Sequence, residues 1–430
     1  MRKKLIGISL AAILVLVLSA CSSSSGKSAD GAVEIEFWYG LGSEADENMK
    51  RIIGDFNESQ DDVVVKAVPQ ADYDETYEKL QAAIASDTAP GVFLSEITPL
   101  TDLAQKDAVE PLDSYVKDDD DFNKDDFLDA LIASAEIDGS LYALPGYGTT
   151  QVMYYRKDIY EEAGIDPEEA YSSWENLAKA SKELQEKGLV DYGHEPMWKE
   201  ENLIDIALSN GGNILNEDQT KVMIDSPEWI DSWDFIRKQI HEDETMKVNS
   251  GGQGWEYWYK TIDQVMNGSA AGYTGSSGDK GDLDFDIIDS IPQPGLDGHD
   301  AKPIVNGLYM AIPKGISDEE KDAAYQWISY FTSPEVNADW SEHIGYVPTQ
   351  EATLDVPAYA EFVKENPYAG VPYEQAQTAS PEFVDPTGGK ILDALSIATD
   401  KIELQNVPAE EALKAAKKDA QQALDEVNSK

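Results

Sequence analysis

The chain has 430 residues, 41% of them apolar, and its 33 basic residues against 83 acidic ones give a formal net charge of −50. It is longer than one compact domain usually is, and it is apolar enough to bury a core. A surface this acidic lacks the basic footprint that nucleic acids need and is repelled by anionic lipid headgroups. We therefore expect no nucleic-acid partner and no contact between the folded body and a membrane.

The N-terminus has the pattern of a secretory signal. A basic start at 2–4 precedes an apolar run at 5–18, and small residues at 19–20 stand before Cys21, the only cysteine. The apolar run is shorter than the roughly 20 residues that span a bilayer. It resembles a bacterial lipoprotein signal, which implies removal of 1–20 and lipidation of Cys21. We expect the protein to be held by lipid on the extracellular face of a Gram-positive cell membrane.

Small polar residues after the cysteine predict a flexible tether over 21–32, and regular structure begins at Val33. Short β-branched runs then alternate with segments of helical spacing, which predicts an α/β fold with parallel strands. The first predicted elements are a strand at 33–38, a helix at 45–58, a strand at 63–68, a helix at 73–85 and a strand at 90–94. Later helices are predicted at 156–163, 174–187, 202–210, 226–241, 317–332, 388–404 and 408–428.

Motifs of catalysis and metal binding are missing from the sequence. The acidic run 117–126 has no glycine for a calcium loop, so it reads as a solvated loop or a helix N-terminus. Gly275-Ser276-Ser277-Gly278-Asp279 departs from a serine hydrolase elbow at its last position. No phosphate-binding glycine loop occurs, and the four histidines are scattered. We expect no catalytic residue, no metal and no cofactor, although a carboxylate pair of a glycosidase stays open.

Aromatic residues in loops suggest what the chain binds. Trp38 and Tyr39 end the first strand, Tyr147 follows a strand-like segment, and Trp198 and Trp255 lie in loops rich in glycine or proline. Sugars present apolar C–H faces that stack on flat rings and hydroxyls that need a few placed polar groups. Five further tryptophans lie on helical patterns and are expected in the core: Trp174, Trp229, Trp233, Trp327 and Trp340.

At this point the chain resembles the extracellular solute-binding proteins of ABC importers, in the branch of sugar- and glycerol-3-phosphate-binding lipoproteins. The resemblance covers residues 33–427 and rests on motifs that occur in a common order. These are FWY at 37–39, FN at 56–57, YDE at 73–75, APGV at 89–92, DGSLYALP at 138–145, MYYRKD at 153–158, AGI at 163–165, Trp174, NGG at 210–212, SPEV at 333–336 and GYVP at 345–348.

The resemblance implies a two-lobed periplasmic-binding-protein-like fold, in which several chain crossings form a hinge. The expected N-terminal lobe comprises 33–145 and about 276–306, and the expected C-terminal lobe comprises 146–275 and about 307–430. In an alternative arrangement, the C-terminal helices return to the N-terminal lobe. The crossings are expected near Pro145, Ser276 and Asn306.

The resemblance also implies binding positions between the lobes. Tyr73 matches a tyrosine that contacts the ligand, Glu96 a carboxylate that accepts from hydroxyls, and Trp198 a stacking ring. Ser276 matches a hydroxyl at a crossing, and Tyr346 a tyrosine that closes the pocket. The resemblance and the aromatic residues in loops together predict thirteen ligand-binding residues. These are Trp38, Tyr39, Tyr73, Glu96, Tyr147, Thr149, Trp198, Trp255, Tyr273, Ser276, Ser277, Asn306 and Tyr346.

One departure from the family bears on the ligand. The glycerol-3-phosphate receptors carry an arginine around this chain's 383–390, and here no arginine follows Arg237. Arginine binds phosphate bidentately, whereas lysine is a point charge. We expect a neutral sugar or oligosaccharide, delivered to an ABC permease by a monomeric receptor that is not an enzyme. The alternatives are a glycerol-3-phosphate or glycerophosphodiester receptor, an exported glycosidase, and a structural or adhesion role.

Overall fold

The computed structural model describes residues 31–252, 256–296 and 298–429. The predicted signal, Cys21 and most of the predicted tether lie outside the described residues, and so does Trp255. Within the described ranges, no helix is both long enough and apolar enough to cross a membrane.

The first five elements follow the sequence prediction closely. They are β1 (Val33–Tyr39), α1 (Ser43–Ser59), β2 (Val63–Pro69), α2 (Tyr73–Ala85) and β3 (Val92–Ser95). The three strands pair in parallel in the order β2-β1-β3. Helix α2 begins where Asp72 accepts a hydrogen bond from the backbone N–H of Glu75, as an N-cap does. The predicted parallel α/β start is therefore confirmed.

The chain then builds the rest of this sheet and leaves it along one long strand. The elements are α3 (Ile97–Gln105), α4 (Asp113–Asp118), α5 (Asp129–Ser134), β4 (Glu136–Ile137), β5 (Ser140–Leu141) and β6 (Ala143–Arg156). The acidic run at 117–126 starts in the last two residues of α4 and continues toward α5 as a loop with one short 3₁₀ turn. The interpretation of that run as a solvated loop agrees with the structure.

The second half of the chain adds mainly helices. After β6 come α6 (Lys157–Ala163), α7 (Pro167–Ala170), α8 (Trp174–Glu186), α9 (Glu200–Ser209), α10 (Pro227–His241) and α11 (Glu256–Met266). Strands β7 (Gly272–Ser276), β8 (Ile288–Ile291) and β9 (Ile304–Ala311) follow. The remaining elements are α12 (Asp318–Phe331), α13 (Pro334–Ile344), α14 (Pro357–Glu365), α15 (Val371–Gln377), β10 (Ser380–Pro381), α16 (Lys390–Glu403) and α17 (Ala409–Asn428).

Strand β6 connects two separate cores. Its first part pairs antiparallel with β9 over 143–150, and its last part pairs antiparallel with β7 and β8 over 151–156. One core contains the side chains of β1–β3, α1, α3, β9, α12 and α13, and we call this unit the first lobe. The other core contains those of α6, α8, α9, α10, α16 and α17, and we call that unit the second lobe.

The observed packing differs from the predicted lobe boundaries. Strand β8 pairs with β6 at 153–156, so the segment from 277 to about 303 belongs with the second lobe rather than the first. Residues 308–344 pack in the first-lobe core instead of the second. Helices α16 and α17 pack on α10 in the second lobe, so the alternative of their return to the first lobe is not seen. The alternation of strands and helices cannot show which strand becomes whose neighbour, and β9 enters the first sheet between β3 and β6.

Within residues 31–252, 256–296 and 298–429, three chain segments pass between the lobes. The first is β6 between Tyr147 and Val152, and the second is β9 around Val305. The third follows α13, where Val347 forms a small cluster with Leu131 and Val305. The predicted positions near Pro145 and Asn306 lie on β6 and β9, the strands that contain the first two of these segments. Ser276 ends β7 in the second lobe and is not itself a crossing.

Candidate functional site

Four predicted residues meet at the edge of the first lobe that faces the second. The hydroxyl groups of Tyr73, at the start of α2, and Tyr147, on β6, lie 3.0 Å apart. The ring of Tyr346 stacks on that of Tyr147 with centroids 4.6 Å apart and planes 18° apart. Glu96 follows β3, and its charge adds a small part to the rise in the pKa of Tyr73 and Tyr147 that burial mainly causes. The structure therefore brings together Tyr73, Glu96, Tyr147 and Tyr346.

A group of hydroxyls continues this surface across the crossing strands. Thr149 Oγ1 lies 3.0 Å from Ser276 Oγ and 3.4 Å from Ser277 Oγ. Asn306 on β9 is directly opposite Thr149 in the antiparallel register, so both side chains share one face of the sheet. Thr149, Ser276 and Asn306 are half-buried, whereas Ser277 is buried. Placed hydroxyl and amide groups of this kind can pair with the hydroxyls of a polyol.

Gly278 brings the second lobe against Tyr346. A Cβ atom at Gly278 would lie only 2.8 Å from Cε1 of the Tyr346 ring. The backbone N–H of Gly278 donates to Ser276 Oγ at 3.1 Å. The aromatic group of the first lobe and the hydroxyl group of the crossing strands therefore form one continuous wall.

Asp279 is a buried carboxyl group next to this wall. Its carboxylate accepts from the indole N–H of Trp258 at 2.9 Å and from the hydroxyl of Tyr273 at 3.1 Å. Burial raises the pKa of Asp279 to about 7. Tyr273, a predicted ligand residue, is fully buried and stacks on Tyr154, so it supports Asp279 instead of facing a ligand.

Trp198 lies in the second lobe beside the start of α9. Its indole N–H donates to Asp400 Oδ1 at 3.0 Å, and its ring meets Tyr257 edge-on at 5.1 Å between centroids. The ammonium of Lys199 lies over the Tyr257 ring, 5.4 Å from its centroid. Trp198 is half-buried, and the acidic first turn of α9 begins two residues later, at Glu200. It thus forms a second aromatic position, separate from the tyrosine group of the first lobe.

Two carboxylates that the sequence analysis did not single out join Glu96. Glu201 lies in the first turn of α9, and Glu382 follows β10. Glu382 is electrostatically coupled to both Glu96 and Glu201, and burial raises its pKa to about 8. The pKa of Glu96 is also raised, by burial and then by Asp74. In the sequence, only the position of Glu201 three residues after Trp198 could have indicated that it lies near the site. No sequence feature indicated Glu382.

Two predicted positions lie apart from this group. Tyr39 is fully buried in the first-lobe core, where its hydroxyl donates to Asp46 at 2.9 Å. The alternation of β1 explains this correction, since Ile35 and Phe37 are buried on the same face as Tyr39. Trp38, on the opposite face, donates its indole N–H to Glu36 at 2.8 Å. Trp255 lies outside the described residues.

A separate groove lies on the first lobe. Its volume is about 1040 Å³, and its lining includes Phe56, Tyr115, Asp119, Phe122 and Tyr330. None of the predicted ligand residues that the structure describes lines it. Among the residues that the structure describes, no group of three or more histidine, cysteine, aspartate or glutamate side chains is placed to hold a metal ion.

Comparison with known proteins identifies relatives over nearly the whole length. Residues 51–369 match the family model of a bacterial extracellular solute-binding protein. The sn-glycerol-3-phosphate-binding periplasmic protein UgpB of Agrobacterium fabrum is 24% identical over 422 residues, which cover 95% of this chain and 94% of that protein.

Solved structures share the same architecture. The sugar-binding protein MalE from Xanthomonas citri has a TM-score of 0.80 at 21% identity, covering 92% of this chain and 98% of that one. UgpB from Mycobacterium tuberculosis, in complex with glycerophosphocholine, has a TM-score of 0.76 at 23% identity, covering 92% of this chain and 99% of that one. At these identities the likeness shows the fold, and it confirms the predicted two-lobed α/β architecture.

Proposed function

We propose that this chain, which belongs to the bacterial extracellular solute-binding protein family, is the receptor of an ABC importer for a sugar or oligosaccharide without phosphate. Proteins of this family bind small molecules and deliver them to membrane permeases. In this proposal Cys21 carries the lipid that keeps the receptor at the outer face of the cell membrane. The ligand binds between the two lobes and is released chemically unchanged.

One observation carries the choice of ligand. Each arginine of the mature chain is paired with other residues, away from the tyrosine and hydroxyl groups of the candidate site. Arg51 pairs with Asp55 and with Asp339 on α13. Arg156 pairs with Asp158 and donates to two backbone carbonyls. Arg237 pairs with Asp234 and Glu242 and donates to Asn406. Because the guanidinium fork is the usual partner of a bound phosphate, this site lacks the expected cation.

Residues 383–390, where the glycerol-3-phosphate receptors are expected to carry an arginine, stabilise the start of α16 in this chain. Asp385 accepts hydrogen bonds from the backbone N–H groups of Ile391 and Leu392 at the start of α16. Lys390 lies on the surface, 3.7 Å from Glu426 of α17. The residue just before this segment, Glu382, is acidic and therefore offers a phosphate no cationic partner.

The groups that face the space between the lobes suit a sugar. Tyr346 offers a ring face held in place by Tyr147, and Trp198 offers a second ring. Thr149, Ser276 and Asn306 supply hydroxyl and amide partners, and the carboxylates accept from sugar hydroxyls. Closure on the ligand shifts an open–closed equilibrium by the preference of the ligand for the closed state.

A second candidate function is a receptor for glycerol-3-phosphate or its diesters. The named relatives favour it, because the Agrobacterium protein and the mycobacterial structure carry such ligands in their names. This candidate predicts binding of sn-glycerol-3-phosphate or glycerophosphocholine in preference to maltose and longer maltodextrins.

A thermal-shift panel separates the two candidates. A saturating ligand stabilises the folded state by RT ln(1 + [L]/Kd), so each true ligand raises the melting temperature. The panel contains mono- and oligosaccharides, sn-glycerol-3-phosphate and glycerophosphocholine, and chromatography afterwards shows whether the sugars are intact. We expect shifts with sugars only and no hydrolysis. A shift with a phosphate ester alone, or turnover of a sugar, would contradict the proposal.

A further inference from the structure

The second lobe contacts the end of helix α13 of the first lobe through a short segment, residues 277–280. Two glycines allow this close approach, one in each lobe. A Cβ atom on Gly345, which ends α13 with φ +93°, would lie only 2.8 Å from Cβ of Lys280. Gly278 of the segment faces the ring of Tyr346 in the same way. Each lobe therefore presents a glycine to a side chain of the other, and the two backbones lie close together.

Asp279 fixes this segment to the second lobe. Its carboxylate accepts hydrogen bonds from Trp258 on α11 and from Tyr273 on β7, at 2.9 and 3.1 Å. Strand β7 pairs with the last part of β6, and α11 packs against β7, so both partners belong to the second lobe. Segment 277–280 therefore moves with the second lobe when the lobes rotate relative to each other.

Lys280, the next residue, binds the first lobe. Its ammonium donates to the backbone carbonyl of Glu342 in the last turn of α13. The same ammonium lies over the ring of Phe362 on α14, 4.9 Å from its centroid, and α14 packs against α13. Carbonyls in the last helical turn have no amide partner within the helix and carry the negative end of its dipole, and a ring face also attracts a cation. Lys280 therefore caps a helix of the other lobe.

We propose that Lys280 is a positioning residue of the receptor, which latches the second lobe onto α13 and thereby sets the affinity for a ligand that it does not touch. This inference rests on the proposed function, because it assigns the latch a role in binding between the lobes. Helix α13 leads directly into Tyr346, the ring expected to stack on the sugar. Holding the end of α13 against segment 277–280 therefore holds this ring beside the hydroxyls of Thr149 and Ser276.

The latch acts through the fraction of molecules in which the two lobes are correctly placed. When the binding-competent arrangement is only partly populated, the apparent Kd rises by the inverse of its population. Rotation of the lobes away from this arrangement would separate Lys280 from Glu342 and Phe362, because segment 277–280 follows the second lobe and α13 follows the first. Removing the ammonium should therefore favour other lobe arrangements and weaken binding of any ligand that needs this one.

Lys187 provides a matched control within one lobe. Its ammonium donates to the carbonyl oxygen of Ala163, the last residue of α6, at 2.5 Å. Both residues belong to the second lobe, where α6 and α8 share one core. Lys187→Met therefore removes the same chemistry, an ammonium at a helix C-terminus, without affecting a contact between the lobes.

Hydrogen–deuterium exchange of the ligand-free receptor tests the latch without any assumption about the ligand. Lys280→Met keeps an unbranched side chain beside Gly345 and removes only the ammonium. We expect faster exchange in this variant at both contact segments, 277–283 and 342–348, and wild-type exchange there in Lys187→Met. Lys280→Arg should behave as wild type, because a guanidinium can also donate to a carbonyl and lie over a ring.

Calorimetry with maltose, maltotriose and sn-glycerol-3-phosphate measures the effect on binding. For each of these that binds, we expect Lys280→Met to lose about threefold to tenfold in affinity, the scale of a helix-end charge together with a cation–ring contact. Lys187→Met should keep the wild-type value, and thermal unfolding checks that each variant is folded.

Wild-type exchange at both contact segments, or wild-type affinity in folded Lys280→Met, overturns this inference and leaves the proposed function intact. An equal loss of affinity in Lys187→Met also overturns it, because the effect would then come from general destabilisation rather than from the contact between the lobes. Absence of binding by every sugar overturns the proposed function itself, and the exchange of the ligand-free receptor still decides whether Lys280 holds the lobes together.

Discussion

At the residue scale, the tyrosine group of the first lobe is a platform supported from beneath. Tyr346 is half-buried and rests on Tyr147, which is fully buried and packs against Trp340 at 5.3 Å. Tyr73 closes one side through its hydroxyl contact with Tyr147. The Tyr346 ring is therefore preorganised, because the Tyr147 ring beneath it cannot rotate without disturbing the core. Preorganised rings are where substitution is expected to cost most affinity.

Tyr346→Ala should weaken sugar binding by about 1–3 kcal/mol, because it removes the stacking face from the site. Tyr346→Phe keeps the ring and loses only the hydroxyl, so it should retain most of the affinity. Calorimetry with a sugar identified in the panel measures both variants. Wild-type affinity in Tyr346→Ala, with the fold intact, would remove this ring from the binding site.

A second residue-scale feature is a set of buried carboxyl groups with raised pKa. Burial raises the pKa of Glu195 to about 8 and that of Asp205 to about 7. Such a group holds its proton in the folded protein over a pH range in which the unfolded chain has lost it. Its contribution to stability is therefore fully present below pH 4.5 for Glu195 and is lost as the pH rises through about 8.

Glu195→Gln tests this sign directly. Glu195 is fully buried and accepts from Asn249 at 2.9 Å, while its other oxygen has no partner. The amide stays neutral at every pH, so the variant should gain free energy of unfolding over wild type between pH 5 and pH 9. Urea titrations at pH 5, 7 and 9 measure the difference, with Glu426→Gln as the exposed control. A difference that does not change with pH would contradict the assignment.

The candidate site was partly predictable from single residues. Tyr73, Glu96, Thr149, Ser276 and Tyr346 were predicted from resemblance, and the structure brings them together. Tyr39 and Tyr273 were wrongly predicted to contact the ligand. The sequence around an aromatic residue near a strand end is the same whether its ring faces the core or a ligand. The facing direction depends on register, which for Tyr39 puts the ring on the core side.

At the element scale, helix α16 begins with an unusual cap. Asp385, five residues before the helix, is buried and accepts from Thr387 Oγ1 at 2.6 Å and from the backbone N–H groups of Ile391 and Leu392. These helix-start donors have no intrahelical partner. The segment that replaces the expected phosphate-binding arginine therefore serves the second-lobe core.

Asp385→Ala should lower the free energy of unfolding by about 1–3 kcal/mol, since several buried donors lose their acceptor together. Asp393→Ala is the matched control, because Asp393 lies in the first turn of the same helix but is exposed. Urea unfolding of the two variants gives the comparison. Equal stability of both would show that Asp385 does not anchor the helix.

Element positions were easier to predict than element partners. The predicted helix at 73–85 agrees with α2, because the spacing of apolar residues and the acidic first turn specify a helix locally. Strand order is a nonlocal property. Strand β9 pairs with β3 and β6, which both lie far from it in the sequence, and no periodic signal encodes that choice. The lobe boundaries after residue 275 were misassigned for that reason.

At the scale of the whole molecule, three chain crossings tie two separately packed cores. Strand β6 is fourteen residues long and pairs with strands of both lobes, so it connects them directly. The hydroxyl group of Thr149 and Ser276 lies on this shared strand and its neighbour. A ligand bound there would contact groups next to both lobes, which suits a receptor that closes on its ligand.

The most direct measurement is native mass spectrometry of the receptor purified from its own host, followed by release and identification of any carried ligand. The account predicts an intact saccharide that contains no phosphorus. A glycerophosphate ester as the carried ligand would contradict the central claim, because it would mean that phosphate is bound without the arginine that its relatives are expected to use.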